Sequence, residues 1–308
     1  MNELTEKINS LKKEKNAVIL AHCYQNIEID EVADFVGDSL YLSRQAAKTD
    51  ADIIIFAGVY FMAQVAKMLS PNKKVFLPRM ESGCFMADMI NINDLREFKY
   101  QHPNIPVVCY INSSAEVKTE CDICVTSSNS VDVIRSLNVP EVLFLPDTYL
   151  GKWVENQLGG KTKVITYPGF CPTHMRIRPT DIENARGQLP NAKVLAHPEC
   201  KKEITDMADF VGSTKDIMNF VAHSGCDKFI IATEKGVTDR LIRDYPNKIF
   251  IPAAENLICP NMKWNTLGDI YNVLLNENNE IFVDEEISEK AVNCINRMLE
   301  VTEKCLTK

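Results

Sequence analysis

Short apolar runs of four to seven residues recur along the chain, each leading into a polar cluster or into a stretch whose apolar positions fall three and four apart. The runs opening AVILAHCYQ (17–25), PVVCYINSS (106–114) and KVLAHPECK (193–201) are β-prone and stop at polar side chains. A second set, DIIIFAG, EVLFLPD and KFIIATE, leads into helical patterns over 61–69, 149–158 and 237–244. Strands alternating with helices in this order predict small parallel sheets covered by helices.

These blocks stand in register. His22, Tyr110 and His197 are spaced 88 and 87 apart, as are Tyr24, Asn112 and Glu199. ADFVGDS (33–39), CDICVTS (121–127) and ADFVGST (208–214) superimpose Asp34, Asp122 and Asp209 at the same offsets. The closing blocks KVFLPRMESGC, KTKVITYPGFC and KIFIPAAENLIC end at Cys84, Cys171 and Cys259. Solenoid repeats run to roughly 20–50 residues, so a period near 87 repeats a whole subdomain. The expected fold is α/β: three quasi-equivalent repeats of a small parallel sheet with flanking helices, pseudo-three-fold around a central cavity. The expected units are 1–103 with an N-terminal helix, 104–190, and 191–308 with a closing helix. That helix carries Ile287, Ala291, Ile295, Met298 and Leu299 on one stripe. In parallel α/β units ligands bind beyond the carboxyl ends of the strands, where the repeated polar residues and cysteines lie.

A hydrophobic fraction of 45% and a charged fraction of 25% belong to a globular chain. The net charge of −8, with no cluster of Lys and Arg, argues against nucleic-acid or membrane-surface partners. The amino terminus is too charged for a signal peptide, and the longest apolar stretch, 53–63, is too short to span a bilayer, so a cytoplasmic protein is expected. Eleven cysteines in a reducing compartment do not form a disulfide framework; some are core residues and others bind metal.

The cysteines predicted to converge on one metal centre are Cys84, Cys171 and Cys259, one from each repeat. Cys23, Cys109, Cys200, Cys226, Cys294 and Cys305 read as core thiols. Cys121 and Cys124 have a C-x2-C spacing, but they align with Ala33, Val36, Ala208 and Val211 and read as apolar slots. Three thiolates suit an iron–sulfur cluster, or zinc with His174 as a fourth ligand. A four-iron cluster on three cysteines leaves one iron open as a Lewis acid. Ser39, Ser127 and Thr214, in register before helical stretches, suggest hydroxyls and helix amino termini receiving a small polyanion. His22, His197, Tyr24, Tyr110 and Glu199 provide acids and bases, and Asn112 a hydrogen-bonding amide.

The motifs AHCYQ, GDSL, FMAQVAKMLSP, SGC, YINSSAEVK, TSSN, PGFC-PTH, AHPEC, GST, the TE of IIATE and the MK at Met262 resemble quinolinate synthase, in order along nearly the whole chain. The resemblance implies one 4Fe-4S cluster on Cys84, Cys171 and Cys259. It also implies condensation of iminoaspartate with dihydroxyacetone phosphate to quinolinate, phosphate and two waters, on the route to NAD. Its substrate and catalytic positions map to His22, Tyr24, Ser39, Tyr110, Asn112, Ser127, His174, His197, Glu199 and Thr214. Tyr24 and Glu199 are expected to move protons, Tyr110 and His197 to orient substrate, and an aspartate oxidase to make at most transient contact. A non-catalytic iron–sulfur sensor and a zinc-dependent hydrolase using Cys171 and His174 are the competing readings. Both leave the in-register hydroxyls unexplained.

Overall fold

The computed structural model describes residues 3–306. The first unit runs α1 (Glu3–Glu14), β1 (Ala17–His22), β2 (Phe35–Gly37), α2 (Ser39–Lys48), β3 (Ile53–Ala57), α3 (Tyr60–Leu69), β4 (Lys74–Phe76) and α4 (Ile92–Gln101). The second runs β5 (Val107–Tyr110), α5 (Ala115–Lys118), β6 (Ile123–Val125), α6 (Ser130–Leu137), β7 (Glu141–Leu145), α7 (Thr148–Gln157), β8 (Lys163–Thr166) and α8 (Pro179–Gln188). The third runs β9 (Lys193–Ala196), α9 (Lys202–Thr205), β10 (Phe210–Val211), α10 (Thr214–His223), β11 (Lys228–Ala232), α11 (Lys235–Asp244) and β12 (Ile249–Pro252). A C-terminal segment adds α12 (Pro260–Lys263), α13 (Leu267–Asn276) and α14 (Glu285–Leu306).

Each unit holds one four-stranded parallel sheet, ordered β2-β1-β3-β4, β6-β5-β7-β8 and β10-β9-β11-β12. The three orders are the same, so the sequence repeat corresponds to three equivalent sheets. Helices cover both faces, which is why the inner strands are continuous apolar runs and not alternating ones. The in-register aspartates fasten the second strand of each sheet to the first. Asp34 accepts the Ile19 N–H at 2.8 Å, Asp122 that of Val107 at 2.7 Å and Asp209 that of Val194 at 2.9 Å.

The apolar cores are distributed unequally. One continuous core takes residues from β1 and β3, from β5, β6 and β7, and from α14 through Ala291, Ile295 and Met298. The helical stripe predicted for the closing segment therefore docks on the second sheet and its helices, and reaches α3 of the first unit. The outer face of the first sheet packs on α1 and α13 through Ile8, Ile270, Val273 and Leu274. The third unit keeps two cores, one on each face of its sheet.

Candidate active site

The carboxyl ends of β1, β5 and β9 carry His22 with Tyr24, Tyr110 with Asn112, and His197 with Glu199. Loops after β4, β8 and β12 carry Cys84, Cys171 and Cys259, and His174 opens a short 3-10 turn beyond Cys171. Ser39 and Thr214 open α2 and α10, and Ser127 precedes α6. All of these predicted residues line a single cavity of about 80 Å³. Space of that size holds several waters or a small ligand.

The hydroxyls are not the helix caps. Asp38 caps α2 by accepting the Tyr41 N–H at 2.9 Å, and Ser213 caps α10 by accepting that of Asp216 at 3.2 Å. Each cap stands one residue before the predicted hydroxyl, which leaves Ser39 and Thr214 on the cavity wall. The cap of α2 is itself a carboxylate, and it also accepts a bond from Ser128 of the second unit.

Two histidines share one local design. The Tyr24 N–H donates to His22 Nδ1 at 3.1 Å and the Glu199 N–H to His197 Nδ1 at 3.3 Å. With Nδ1 accepting, the neutral ring carries its proton on Nε2. Burial pushes His22 down to about 3 and His197 down to about 4, so both are neutral at pH 7.

Hydrogen bonds join the units across the cavity. Thr214 Oγ1 donates to Tyr24 Oη at 3.1 Å, and Tyr24 Oη lies 3.0 Å from Thr233 Oγ1. Thr233 Oγ1 lies 2.9 Å from His174 Nε2, and His174 Nδ1 lies 2.9 Å from Glu199 Oε2, off the line of a well-aligned hydrogen bond. Tyr110 Oη donates to Glu199 Oε1 at 2.6 Å. Burial works against ionised Glu199, but His197, His174 and the Tyr110 hydroxyl outweigh it and hold the carboxyl at about 2. Burial raises both tyrosines well above the usual phenol range and keeps them protonated.

The three thiols sense one another. Burial pushes Cys84 up to about 12, and Cys259 adds to that rise; Cys171 is raised by burial, by Glu199 and by the other two thiols. Among the described residues, three potential ligand atoms lie within 4.8 Å of one another at Cys171, His174 and Glu199. The three thiols do not form so tight a group. Sulfurs on one tetrahedral zinc stand about 3.8 Å apart, whereas those on a cluster bind different irons and spread wider. Of the other cysteines, Cys124 Sγ sits 3.2 Å from Cys294 Sγ, and Cys121 Sγ donates to the Val117 carbonyl at 3.1 Å. Cys124 thus faces α14 of the C-terminal segment, while both C-x2-C thiols lie beside Cys109 and away from the cavity.

Thr233, which completes the relay, enters the sequence reading only within the TE motif of the resemblance and without a role, because it aligns with Gly58 and Pro146. Asp147 is not singled out there, and Glu234 of the same motif is given no role; both are fully buried acids at one register position. Their first-unit counterpart is Val59, which broke the polar pattern.

Fold and site together define a three-unit α/β protein built around one buried cavity, where three thiols face a relay of acids and bases. The family described as Quinolinate synthetase A protein matches residues 6–300. The chain is 51% identical to the quinolinate synthase of Alkaliphilus metalliredigens over 303 residues, covering 98% of this chain and 100% of that protein. It is 50% identical to that of Dehalococcoides mccartyi over 299 residues, with 97% and 98% covered. With the quinolinate synthase of Caldicellulosiruptor bescii it shares 47% identity over 298 residues, again with 97% and 98% covered. The chain belongs to the quinolinate synthase family. No helix among the described residues is long and apolar enough to cross a membrane.

Proposed function

We propose that this chain condenses iminoaspartate with dihydroxyacetone phosphate to give quinolinate, phosphate and two waters, within cytoplasmic NAD biosynthesis. Cys84, Cys171 and Cys259 hold one 4Fe-4S cluster, and residues 1–103, 104–190 and 191–308 form the three units around it. The observation that carries this reading is a hydrogen-bonded relay contributed by all three units and facing three thiols in one cavity.

The donor set fits the group. Three thiols that face one cavity without the tight grouping a single ion needs suit a cluster. The tighter Cys171, His174 and Glu199 group is a poorer metal site, because Thr233 already engages His174 Nε2 and Tyr110 already donates to Glu199 Oε1. When bound, a cluster with three cysteine ligands supplies a Lewis-acidic iron that polarises a substrate oxygen or nitrogen.

The chain's own groups do the rest. Ser39, Ser127 and Thr214 bind carboxylate and phosphate oxygens, and Asn112 holds a carbonyl or imine. Nε2–H of His22 and of His197 donate to the substrate, and Tyr110 orients it beside Glu199. Glu199, ionised, takes protons from substrate carbon; Tyr24 Oη, protonated, gives them to departing hydroxyls. Thr233 and His174 return protons between those two ends. An aspartate oxidase supplying iminoaspartate needs only transient contact.

Anaerobically purified protein assayed with both substrates tests the reading. Quinolinate is expected, together with iron and sulfide. Glu199→Gln is expected to lower kcat by about 100- to 10,000-fold at unchanged iron content. No quinolinate from the parent protein, or stoichiometric zinc without sulfide, sinks it.

A further inference from the structure

Beneath the three cysteines the units repeat one backbone contact. The first N–H of the helix after the central strand donates to the carbonyl two residues ahead of the cysteine. The pairs are Tyr60 to Ser82 at 2.7 Å, Thr148 to Gly169 at 2.9 Å and Lys235 to Leu257 at 2.7 Å. Each cysteine loop therefore hangs from a helix amino terminus, and the residue just before that N–H is Val59, Asp147 or Glu234.

Two of those three are carboxylates. Glu234 Oε1 accepts the Cys259 N–H at 3.2 Å, and Oε2 accepts that of Gly236 at 2.6 Å. Lys263 Nζ stands 3.2 Å from Oε1. Asp147 Oδ1 accepts the Leu150 N–H at 2.8 Å, its backbone bridges to Gly169 of the Cys171 loop, and Oδ2 is buried without a hydrogen-bond partner. Gly169 lies so close to the Pro146 carbonyl that a Cβ there would come within 2.5 Å of its oxygen, which pins the same loop from the other side. The Cys84 loop has no carboxylate at this place; Asn261 Nδ2 holds its Gly83 carbonyl at 2.9 Å.

A buried acid is costly, and an apolar side chain fills the same position in the first unit, so packing alone does not require one. What Glu234 adds is an acceptor for the Cys259 N–H, and what Asp147 adds is a buried, unpartnered carboxylate oxygen beside the Cys171 loop. We propose that Asp147 and Glu234 are positioning residues that fix the Cys171 and Cys259 loops for the cluster, and that Cys84 is held without such support. This rests on the cluster reading above.

The amide variants test it: Gln at 234 must turn its N–H2 toward one of two N–H donors, and Asn at 147 replaces the unpartnered carboxylate oxygen with a donor. The full chain is reconstituted anaerobically with iron and sulfide, then challenged with a chelator while iron release and visible absorbance are followed. Glu234→Gln and Asp147→Asn are expected to release iron about 10- to 100-fold faster than the parent. Asp209→Asn removes an equally regular structural acceptor far from the thiols, and is expected to lower Tm while leaving release within about twofold. Amide exchange in the metal-free proteins gives a second readout: Glu234→Gln accelerates exchange at Cys259, and leaves Cys84 unchanged. Release and exchange matching the parent in both amide variants overturn the proposal while the cluster reading stands. A parent that takes up no sulfide overturns both.

Discussion

The first two units and the third are built alike but joined differently. Units one and two share an apolar core, closed by α14 through Ala291, Ile295 and Met298. The third unit has its own cores and meets the others largely through polar contacts. Arg240 Nη1 donates to the carbonyls of Cys23 at 2.7 Å and Gln25 at 3.0 Å, while Asp30 pairs with Arg240 and Arg243. Tyr110 meets Glu199, and Tyr24 meets Thr214 and Thr233. Apolar burial holds surfaces together without regard to direction, whereas hydrogen bonds are satisfied in one arrangement. The seam of the third unit is thus also the relay. A substrate that enters must exchange bonds with the groups that dock this unit, which couples binding to docking.

The largest effects are expected from cutting each joint separately. Arg240→Met leaves two carbonyls without their buried donor and Asp30 with Arg243 alone, at a cost of about 3–5 kcal/mol. Ile295→Ala opens a cavity in the shared core and costs about 2–5 kcal/mol. The location of the damage tells the joints apart. Hydrogen exchange in Arg240→Met is expected to rise at residues 23–25 and along α11, and in Ile295→Ala along α14 and β6. The same pattern in both variants would mean that the three units open as one body, and the distinction drawn above would be lost.

How much of this the sequence foretold depended on whether a feature lay in the repeat. All three sheets were legible because strands buried on both faces leave unmistakable apolar runs, and the three cysteines because they end equivalent blocks. The stripe on α14 announced a docking helix, but nothing in it named the second unit as its berth. Arg240 and Asp30 lie 210 residues apart and in different units, so no local pattern pairs them. The hydroxyls of Ser39 and Thr214 were placed at helix amino termini correctly, and they are free to line the cavity because Asp38 and Ser213, one residue earlier, do the capping. The repeat gave no role to Thr233, Asp147 or Glu234, because the units diverge there. Repeat symmetry exposes what the three copies share, and the chemistry of this cavity depends on where they differ.

Acid is the next way to stress the polar seam. His22 and His197 are held neutral by burial, at about 3 and about 4 against an ordinary 6.5. Between those values the unfolded chain binds protons that the folded chain refuses, so stability is full above pH 6.5 and falls as pH drops toward 4. Each histidine contributes up to about 1.4 kcal/mol per pH unit in that window. In His22→Asn the amide oxygen replaces Nδ1 as acceptor for the Tyr24 N–H. Denaturant titrations from pH 8 to pH 4 are expected to show the variant losing less stability than the parent below pH 6.5. Parallel curves would mean that His22 does not change its protonation preference on folding.

The smallest effect is expected at the edge of the apolar joint, where Glu277 closes α13 onto the first unit with Lys15 at 2.8 Å and Lys74 at 2.6 Å. Bonds from Lys15 and then Lys74 hold its carboxyl at about 2, so its contribution is present above about pH 4.5 and is lost as pH falls through 2. The group is about one-third exposed, and solvent screens both pairs. Glu277→Gln is therefore expected to cost under about 1 kcal/mol at pH 7, and less at high salt. The apolar joint predicts that smallness: Ile270, Val273 and Leu274 bury α13 whether or not its last residue is charged. A loss approaching that of Ile295→Ala would show that charge, and not burial, ties the C-terminal segment to the first unit. The contrast between a dry joint and a polar one would then hold only at the third unit.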